Sequence, residues 1–312
     1  MTLFTANGVL VGMTQQRLKG ARRAMERYLH NAYLDWHRTQ RMNSATTGEV
    51  SCWIYRDPRL HKVRAPGGTC LRALSSGIFG TPEHPINSSK GCGGVMRVAP
   101  IGLYFDPAHN TPEQIDWLAA RSAALTHGHP LGFISAALLV RIINQTVYGE
   151  AYGKDALYDI VTDALRAIQS EFAMYEKTAK LAELVHTAID LSLTGQEDYQ
   201  AVAKIGEGWV AEEAIAIAIY CALKYRGDFT QALIAAVNHS GDSDSTGSIT
   251  GNILGAQLGY DSIPTSFIDR LEMFDLISAL AEDLYIDAAN DDPAHCRTDL
   301  WQRKYVRADF RM

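Results

Sequence analysis

The sequence of 312 residues predicts an all-α fold organised as a single domain. Apolar residues recur at the three- to four-residue spacing of amphipathic helices in most segments. Strand character is confined to short stretches such as residues 51–55, and no alternation of strands with helices suggests a parallel sheet. No Gly-, Ser- or Pro-rich linker and no repeat of 20–50 residues interrupts the chain. One compact all-α domain over residues 1–312 is therefore expected.

The helical segments follow one another along the chain. The first is long and charged, and its apolar positions are Leu18, Ala21, Met25, Leu29 and Tyr33. A helix is predicted after the sequence Asn-Thr-Pro at residues 110–112, because a capping residue followed by proline favours a helix start. In order, the predicted helices cover residues 14–42, 112–127, 132–148, 153–171, 174–193, 211–225, 229–238 and 266–287, with another after residue 243.

Composition excludes several classes of protein. A hydrophobic content of 47% is ample for a buried core, and a net charge of −6 offers no basic surface for nucleic acid. No apolar run reaches the roughly 18–20 residues of a membrane span. The first twelve residues lack the basic region and cleavage site of a signal peptide. Five widely spaced cysteines without a CxxC pair argue against a disulfide framework and a thiolate zinc site. We expect a cytoplasmic protein without nucleic-acid or membrane partners.

The most informative segment is NHSGDSDSTGSITGNILGAQLG at residues 238–259. Glycine recurs at every fourth position from residue 247 to residue 259, which places the four glycines in one row on a helix. Each glycine costs a helix about 1 kcal/mol relative to alanine. We therefore expect another backbone to approach closely along this row.

At the amino end of this helix stand Asp242, Asp244 and Ser245. Carboxylate and hydroxyl oxygens are ligands for hard divalent cations, so a metal site is one interpretation. A plain N-cap cluster is the alternative, because Asp and Ser are preferred at helix starts. Glycine at i and i+4 is also typical of pairing helices in membranes, but Asn252 and Gln257 argue against a bilayer. The residues alone leave metal site and cap open.

Three other loops carry unusual residues. Gly91, Gly93 and Gly94 could let backbone N–H groups converge on a phosphate, or form an ordinary turn. The histidines of THGHPLG (126–132) could bind a metal or a ligand's phosphate or hydroxyls, or cap the following helix. Trp209 in GEGWVAEE (206–213) could stack on a base, although burial in the core is the commoner fate of tryptophan.

Taken in order, six stretches of the chain resemble the ADP-ribosylglycohydrolase family, which includes dinitrogenase reductase-activating and ADP-ribosylarginine hydrolase types. They are YLDWHRTQ (33–40), RAPGGTC (64–70), SKGCGGVMRVAP (89–100), THGHPLG (126–132), GEGWVAEEA (206–214) and NHSGDSDSTGSITGNILGA (238–256). The resemblance implies an orthogonal helical bundle with a cleft at its loop-bearing end. It also implies hydrolysis of the glycosidic bond between ADP-ribose and a protein side chain, usually arginine, with two Mg²⁺ or Mn²⁺ ions. The implied partners are an ADP-ribosylated protein as substrate and ADP-ribose as product.

The resemblance also assigns roles. Asp242, Asp244 and Ser245 match metal ligands, and the two carboxylates match catalytic residues. The implied contacts with ADP-ribose are the backbone at Gly93, Gly94, Val95 and Met96 for the diphosphate, His127 and His129 near the ribose and phosphates, and Gly208, Trp209 and Val210 towards the nucleoside. Arg97 is expected to hold its own loop in place. Cys92 lacks a paired base and is not expected to be a nucleophile.

The chain departs from the family pattern at its start. Family members carry a glycine-rich helix and a Thr-Asp-Asp-Thr segment ahead of a stretch that matches the first residues here, MTLFT. Relative to that pattern we expect one half of the dinuclear site, the acid/base carboxylate and one core helix to be missing. A misassigned start codon, a real truncation that binds ADP-ribose without hydrolysing it, and a domain completed by a partner are the three explanations. An ADP-ribose-binding or antitoxin protein is accordingly the alternative function, and an exposed apolar patch and aggregation are expected of the isolated chain.

Overall fold

The computed structural model describes residues 1–20, 23–41, 49–150, 156–290 and 292–312. Within these ranges the chain is all-α. It contains fifteen α-helices and several short 3₁₀ turns, and the only extended pairing in these ranges is an isolated bridge between Gly91 and Val210. The predicted fold class is confirmed.

In chain order the helices are α1 (Thr2–Lys19), α2 (Met25–Thr39), α3 (Gly68–Ser75), α4 (Ala99–Tyr104), α5 (Pro112–Ala124), α6 (Pro130–Tyr148), α7 (Ala156–Glu171), α8 (Thr178–Ser192), α9 (Asp198–Ile205), α10 (Ala211–Lys224), α11 (Phe229–Val237), α12 (Ser243–Leu258), α13 (Thr265–Ile268), α14 (Phe274–Ala288) and α15 (Asp299–Tyr305). The 3₁₀ turns are Trp53–Arg56, Pro58–Leu60, Cys92–Gly94, Tyr260–Ser262 and Pro293–Arg297.

The helices group into two compact units, so the expectation of one domain stays a prediction. The first unit comprises Met1–Phe79 and Leu271–Met312. In it α1 packs against α2, α14, α15 and the 3₁₀ turn that precedes α15. Phe4, Leu10, Leu29 and Tyr33 are almost fully buried and form part of its core.

The second unit, Gly80–Arg270, is organised around α6 and α10. Helix α6 packs against α4, α5, α7, α10 and α12, and α10 packs against α8, α11 and α12. Both central helices are apolar on nearly every face, as expected for helices surrounded by others. Because α6 and α10 also hold the N-terminus of α12, this unit positions the acidic segment identified in the sequence.

Helix α6 corrects the expectation that no apolar run is long enough for a membrane span. It has 19 residues and a mean hydropathy of 1.4, which meet the length and composition of such a span. However, 78% of its apolar window is buried inside the protein, and a buried core helix passes the same test. One helix of this kind is weak evidence for a membrane segment.

Three sequence predictions of local structure are wrong. The segment 14–42 is not one helix, because Gly20 adopts the left-handed conformation (φ 59°) and ends α1; α2 begins at Met25. Ala21 and residue 42 lie outside the described residues. The segment 266–287 breaks into α13 and α14, with Met273 at positive φ before α14. Residues 51–55 form no strand: residues 53–55 belong to the 3₁₀ turn Trp53–Arg56, and residues 51 and 52 precede it.

The other predicted helices differ from the structure by a few residues at their ends. Helix α7 begins at Ala156, and residues 153–155 of that prediction lie outside the described part of the chain. Residues 2–13 of α1 also lie outside the first predicted helix, which begins at residue 14. Four further helices, α3, α4, α9 and α15, were not predicted from the sequence. These helices have eight residues or fewer, too short to display a clear apolar period.

The glycine row of α12 does not bring another backbone close. A Cβ atom at Gly247 would lie 2.7 Å from Val237 Cγ1, which is a side chain of α11, whereas one at Gly251 would meet Leu233 only at 3.9 Å. At Gly255 nothing in the described part of the chain lies within 4 Å, and Gly259 ends the helix at φ +76°. The helix buries a different face, on which Ile249 and Ile253 lie. The close backbone approach expected along the whole row is therefore wrong.

Candidate functional site

The acidic segment is held at the start of α12 by its own backbone. The Asp242 N–H donates to the carbonyl of Glu207 at 2.8 Å, which ties the segment to the loop between α9 and α10. His239 accepts the N–H of Gly241 at Nδ1 (3.1 Å), and its Nε2 lies 3.0 Å from the carbonyl of Ala236. Both ends of the short loop are thus fixed before the helix begins.

Asp242 occupies the N-cap position of α12, but its side chain makes no capping hydrogen bond. Its Oδ2 instead accepts from the thiol of Cys92 at 2.9 Å and from the Ser245 hydroxyl at 3.0 Å. The carboxylate is buried, with 7% of the residue exposed. A plain cap, the alternative interpretation from the sequence, therefore does not describe the role of Asp242.

The carboxyl groups of Asp242 and Asp244 shift each other's pKa in opposite directions. Burial raises the pKa of Asp242, but hydrogen bonds from Asp244, Cys92 and Ser245 outweigh burial and hold the pKa below its usual value. The same hydrogen bond to Asp242, followed by burial, raises the pKa of Asp244. No Lys or Arg in the described ranges forms a salt bridge with either carboxyl group. The pair consequently stores negative charge that the surrounding protein does not neutralise.

The glycine loop lies directly against this acidic pair through Cys92. Gly91 forms the isolated bridge with Val210, the Cys92 N–H donates to the carbonyl of Trp209 at 3.3 Å, and Ala211 N–H donates to the carbonyl of Lys90 at 2.8 Å. The 3₁₀ turn Cys92–Gly94 then leads into Val95 and Met96. Met96 Sδ lies 3.5 Å from the Ser245 hydroxyl. Residues 91–96, 208–210 and 242–245 therefore converge, as the sequence resemblance implied.

His127 lies behind the glycine loop rather than in the open. It is 2% exposed, and burial together with the charge of Arg97 lowers its pKa to about 3, so the ring is neutral. Arg97 donates to Thr126 Oγ1 at 2.8 Å, and this hydroxyl lies 2.8 Å from His127 Nδ1 and 3.4 Å from the carbonyl of Ala123. On the other side of the ring, His127 Nε2 would lie 3.4 Å from a Cβ atom at Gly91. Direct contact of His127 with a ligand stays a prediction.

His129 and Trp209 show which of their alternatives the fold uses. His129 is the N-cap of α6, and its Nδ1 accepts the N–H of Leu131 at 3.1 Å, so this residue caps the helix as one interpretation predicted; its contact with a ligand stays a prediction. Trp209 is 55% exposed, so burial in the core is wrong for it. Gly208 beside it has φ +79°, a conformation that favours glycine. A ligand contact of Gly208, Trp209 or Val210 stays a prediction.

The expected role of Arg97 holds. Its guanidinium, 1% exposed, donates to the carbonyl of Ser122 at 2.9 Å and to Thr126 Oγ1, so it fixes the loop as predicted.

The environment of Cys92 disfavours its thiolate. Burial, and then the hydrogen bond to Asp242, raise the pKa of the Cys92 thiol to about 12. A thiol with this pKa is protonated near neutral pH, and the expectation that Cys92 is not a nucleophile stays a prediction.

Lys90, Glu212 and Glu213 lie in stretches that resemble the family, but the sequence predicted no role for them. Lys90 forms an ion pair with the almost fully buried Glu212, which anchors the glycine loop to the first turn of α10. Glu213 Oε2 accepts the N–H groups of Glu207 and Gly208 at 3.0 and 3.2 Å and so holds the turn beside Asp242. Two adjacent acids at a helix start looked like ordinary first-turn residues, and only the fold reveals their partners.

Comparison with known proteins decides the family. A model of the ADP-ribosylglycohydrolase family matches residues 1–294. The chain belongs to the ADP-ribosylglycohydrolase family. This result confirms the resemblance on which the expected fold and site were based.

Two relatives are 26–28% identical to this chain over the aligned residues. ADP-ribosylhydrolase ARH3 of Homo sapiens is 28% identical over 220 residues, which are 63% of this chain and 58% of the human protein. The ADP-ribosyl-[dinitrogen reductase] glycohydrolase of Rhodospirillum rubrum is 26% identical over 211 residues, covering 66% of this chain and 60% of that protein. This chain therefore matches less than two thirds of the length of either relative.

A solved structure shows the same fold. The chain is similar to an ADP-ribosylglycohydrolase-related protein complex, with a TM-score of 0.55 and 20% sequence identity, over 92% of this chain and 97% of that one. At that identity the similarity supports the all-α architecture of the family and carries no inference about substrate.

Proposed function

We propose that this chain hydrolyses the glycosidic bond between ADP-ribose and a protein side chain and so reverses mono-ADP-ribosylation. The observation that supports this most strongly is the contact between the glycine loop and the acidic pair through Cys92 and Asp242. A glycine-rich loop suits a diphosphate, and carboxylates beside it suit the positive charge that develops on a ribose during glycosidic cleavage. In this structure the N–H groups of Val95 and Met96 donate to the carbonyl of Cys92 at 2.9 and 3.3 Å.

The donor set fits a hard divalent cation such as Mg²⁺ or Mn²⁺. Asp242, Asp244 and Ser245 offer two carboxylates and a hydroxyl, and the pair has no neutralising Lys or Arg within the part of the chain that the structure describes. These residues would hold the ion, with water or substrate oxygens completing its coordination. Once bound, a divalent ion can lower the pKa of a water molecule and polarise the bond to be broken.

The residues of the chain itself have separable tasks. Cys92 and Ser245 orient the Asp242 carboxylate by donating to the same oxygen, Oδ2. The hydrogen bond to Asp242 raises the pKa of Asp244, and Asp244 would have to be ionised to act as a metal ligand. The neutral imidazole of His127 supports the glycine loop from behind. Together these contacts keep the acidic pair and the loop in one geometry before substrate arrives.

We propose ADP-ribosyl-arginine as the first linkage to test, because the family resemblance implies arginine as the usual acceptor. The names of the relatives leave the linkage open, since ARH3 and the dinitrogen reductase glycohydrolase carry different designations. The proposed partners are an ADP-ribosylated protein and free ADP-ribose, in the cytoplasm. An O-linked acceptor such as serine is the competing possibility, because it would share the ADP-ribose pocket and differ only in the leaving group.

The test measures release of ADP-ribose from two matched peptides, one modified on arginine and one on serine. Each reaction is run with Mg²⁺, with Mn²⁺ and with a chelator. Metal-dependent release from the arginine peptide supports the proposal, and release from the serine peptide alone corrects the linkage. Tight binding of ADP-ribose without release from either peptide would overturn hydrolysis and favour the binding or antitoxin alternative.

A further inference from the structure

A cavity borders the acidic segment and has no role in the proposed hydrolysis of ADP-ribose as described above. It has a volume of about 670 Å³ and lies between the C-terminal ends of α9 and α11. This volume is within the range of roughly 300–1,000 Å³ that is usual for ligand pockets. The lining residues that matter for its chemistry are Tyr199, Val202, Ala203, Glu207, Val237 and His239.

The walls of this cavity combine apolar, aromatic and acidic groups. Val202, Ala203 and Val237 provide aliphatic surface, and Tyr199 presents an aromatic ring that is 61% exposed. Glu207 is an exposed acidic residue, and the lining residues in the described part of the chain include no Lys or Arg. A negatively charged ligand such as a nucleotide diphosphate would find repulsion and no cationic partner here.

His239 does not supply a positive charge to the cavity. Its Nδ1 accepts the N–H of Gly241, so that nitrogen carries no proton. Its Nε2 lies 3.0 Å from the carbonyl oxygen of Ala236 and 3.0 Å from Thr246 Oγ1. Because a carbonyl oxygen can only accept a hydrogen bond, Nε2 carries the proton and donates it to Ala236. The imidazole is therefore the neutral Nε2–H tautomer with both nitrogens engaged, which leaves Glu207 as the charged group of the lining.

The cavity shares a wall with the proposed active site. The carbonyl of Glu207 accepts the N–H of Asp242 at 2.8 Å, and His239 precedes Asp242 by three residues. A ligand group bound in this cavity therefore lies one loop away from the acidic pair. One protein substrate could therefore contact both places, with its modified residue at the acidic pair and a neighbouring residue in the cavity.

We propose that this cavity binds a basic side chain of the ADP-ribosylated protein, an arginine or lysine close in sequence to the modified residue. The inference rests on the proposed function. The long stem of such a side chain packs on Val202, Ala203 and Val237, and its cationic head reaches the ring of Tyr199 and the carboxylate of Glu207. The cavity thereby selects substrates by the sequence around the modification.

The experiment uses two ADP-ribosylated peptides that are identical except for one position near the modified residue, arginine in one and glutamine in the other. That position is moved residue by residue on both sides of the modification. We expect the wild-type chain to prefer the arginine peptide by about fivefold in kcat/KM at its best position, the equivalent of about 1 kcal/mol for an exposed charge pair. The preference should shrink as the salt concentration rises.

Two variants identify the cavity as the origin of this preference. Glu207→Gln should bring the ratio of the two kcat/KM values close to one, and Tyr199→Leu should reduce it about twofold by removing the cation–π contact. Glu183→Gln is the matched control, because Glu183 is exposed on α8 and remote from the lining, and it should leave the ratio unchanged. Because the ratio is measured within each variant, a general loss of rate does not affect the conclusion.

Failure of this inference is distinguishable from failure of the proposed function. If the wild-type chain hydrolyses both peptides equally at every position, the docking inference is overturned and the function stands. If neither peptide is hydrolysed, equilibrium binding of the same two peptides is measured by fluorescence anisotropy. In that case a preference for the arginine peptide that Glu207→Gln removes still supports the cavity's role, and equal binding overturns it.

Discussion

Within the described ranges, a thiol donates to a carboxylate in two clusters, and these clusters differ in how their charge is neutralised. In the unit Gly80–Arg270, Asp242 and Asp244 stand beside Cys92 with no cationic side chain paired to them in the described ranges. In the unit formed by Met1–Phe79 and Leu271–Met312, the fully buried Asp287 forms an ion pair with Arg17, which also donates to the Asp287 carbonyl at 2.9 Å. A guanidinium thus supplies in one cluster the positive charge that the other lacks.

The Asp287 cluster is, by composition, the more conventional metal site. Asp287, His295 and Cys296 place possible ligand atoms within 4.8 Å of one another, and His295 Nε2 is 2.6 Å from Asp287 Oδ1. Yet Arg17 donates to the same carboxylate oxygen, and a metal ion would have to displace a half-buried cation that is hydrogen-bonded to the buried Asp287. The comparison teaches that the balance of charge, more than the number of ligand atoms, distinguishes a cation-binding cluster from a structural one.

The largest expected effect is on turnover. Asp244→Ala should reduce release of ADP-ribose by more than about 10²-fold, because a bound metal contributes several kcal/mol of transition-state stabilisation. The melting temperature should change little, because loss of the hydrogen bond to Asp242 and loss of a partly buried carboxyl group act in opposite directions. Asp261→Ala, an exposed acid in the same unit, is the control and should retain activity. Full turnover in the Asp244 variant would show that this pair is as structural as Asp287.

The second effect is on stability and concerns the other cluster. Asp287→Asn should lower the free energy of unfolding by about 3 kcal/mol, because it leaves the charge of Arg17 without its buried partner. Turnover by the folded fraction should be unchanged. Chemical denaturation at neutral pH measures the stability, and Asp299→Asn, which alters an exposed acid in the same unit, provides the reference. A stable but inactive Asp287 variant would contradict the structural role assigned here.

The third prediction separates the clusters by ligand binding. Mn²⁺ or Mg²⁺ at about 100 times its dissociation constant should stabilise the wild-type chain by about 2.7 kcal/mol, provided that only the folded state binds. Differential scanning fluorimetry should show the corresponding rise in melting temperature. The shift should disappear in Asp244→Ala and persist in Asp287→Asn. The reverse pattern would move the metal to Asp287, His295 and Cys296.

The two clusters also show what the sequence can and cannot predict. Asp242, Asp244 and Ser245 lie within four residues at a helix start, so both their proximity and their resemblance to a known motif are visible in the chain. Arg17 and Asp287 are 270 residues apart, and no periodicity or local spacing connects them. The same limit applies to Lys90 and Glu212, which meet only because the fold places a loop beside α10.

The secondary-structure predictions show the same difference between patterns visible in the local sequence and features that depend on the fold. Long amphipathic segments such as α5, α6 and α10 were predicted within a few residues, because packing on one or more faces leaves a period in the sequence. The breaks at Gly20 and Met273 depend on single backbone conformations, and neither residue type requires a break at a given place. Convergence of the loops at residues 91–96, 208–210 and 242–245 was inferred only from the family resemblance.

A third cluster offers an intermediate case, with two carboxyl groups and one cation. Asp116 and Glu171 share Arg141, whose Nε donates to Asp116 Oδ2 at 2.7 Å. Burial, and then the charge of Asp116, raise the pKa of Glu171 to about 8. The folded state therefore holds a proton that the unfolded chain releases at lower pH. The stability associated with this proton is complete below about pH 4.5 and is lost as the pH rises to about 8.

We expect the free energy of unfolding to fall by on the order of 1–2 kcal/mol between pH 5 and pH 8.5, a value reduced for the partial solvent screening of Glu171. Glu171→Gln should flatten this dependence, because the amide needs no proton to stay neutral beside Asp116. Urea denaturation at four pH values measures it, with Glu183→Gln as the exposed control. A slope that Glu171→Gln leaves unaltered would assign the pH dependence to other groups.

The smallest effect is expected at Cys92, the thiol shared by the acidic pair and the glycine loop. Its raised pKa of about 12 keeps it protonated, and its role is to donate one hydrogen bond to Asp242. Cys92→Ser retains a donor and should keep turnover within about threefold, whereas Cys92→Ala removes the donor and should lose about tenfold, the equivalent of one net hydrogen bond.

A nucleophilic cysteine would behave in the opposite way. Its serine variant would lose activity as completely as its alanine variant, because a hydroxyl without a base attacks poorly. Iodoacetamide provides an independent measure: at pH 7.5 the buried, protonated thiol should react far more slowly than a free cysteine. Rapid alkylation of Cys92 together with an inactive serine variant would indicate that Cys92 is a nucleophilic thiolate activated by the acidic pair. The two clusters would then differ in the reactivity of their thiols and not in uncompensated charge, since Cys296 beside Asp287 is fully buried.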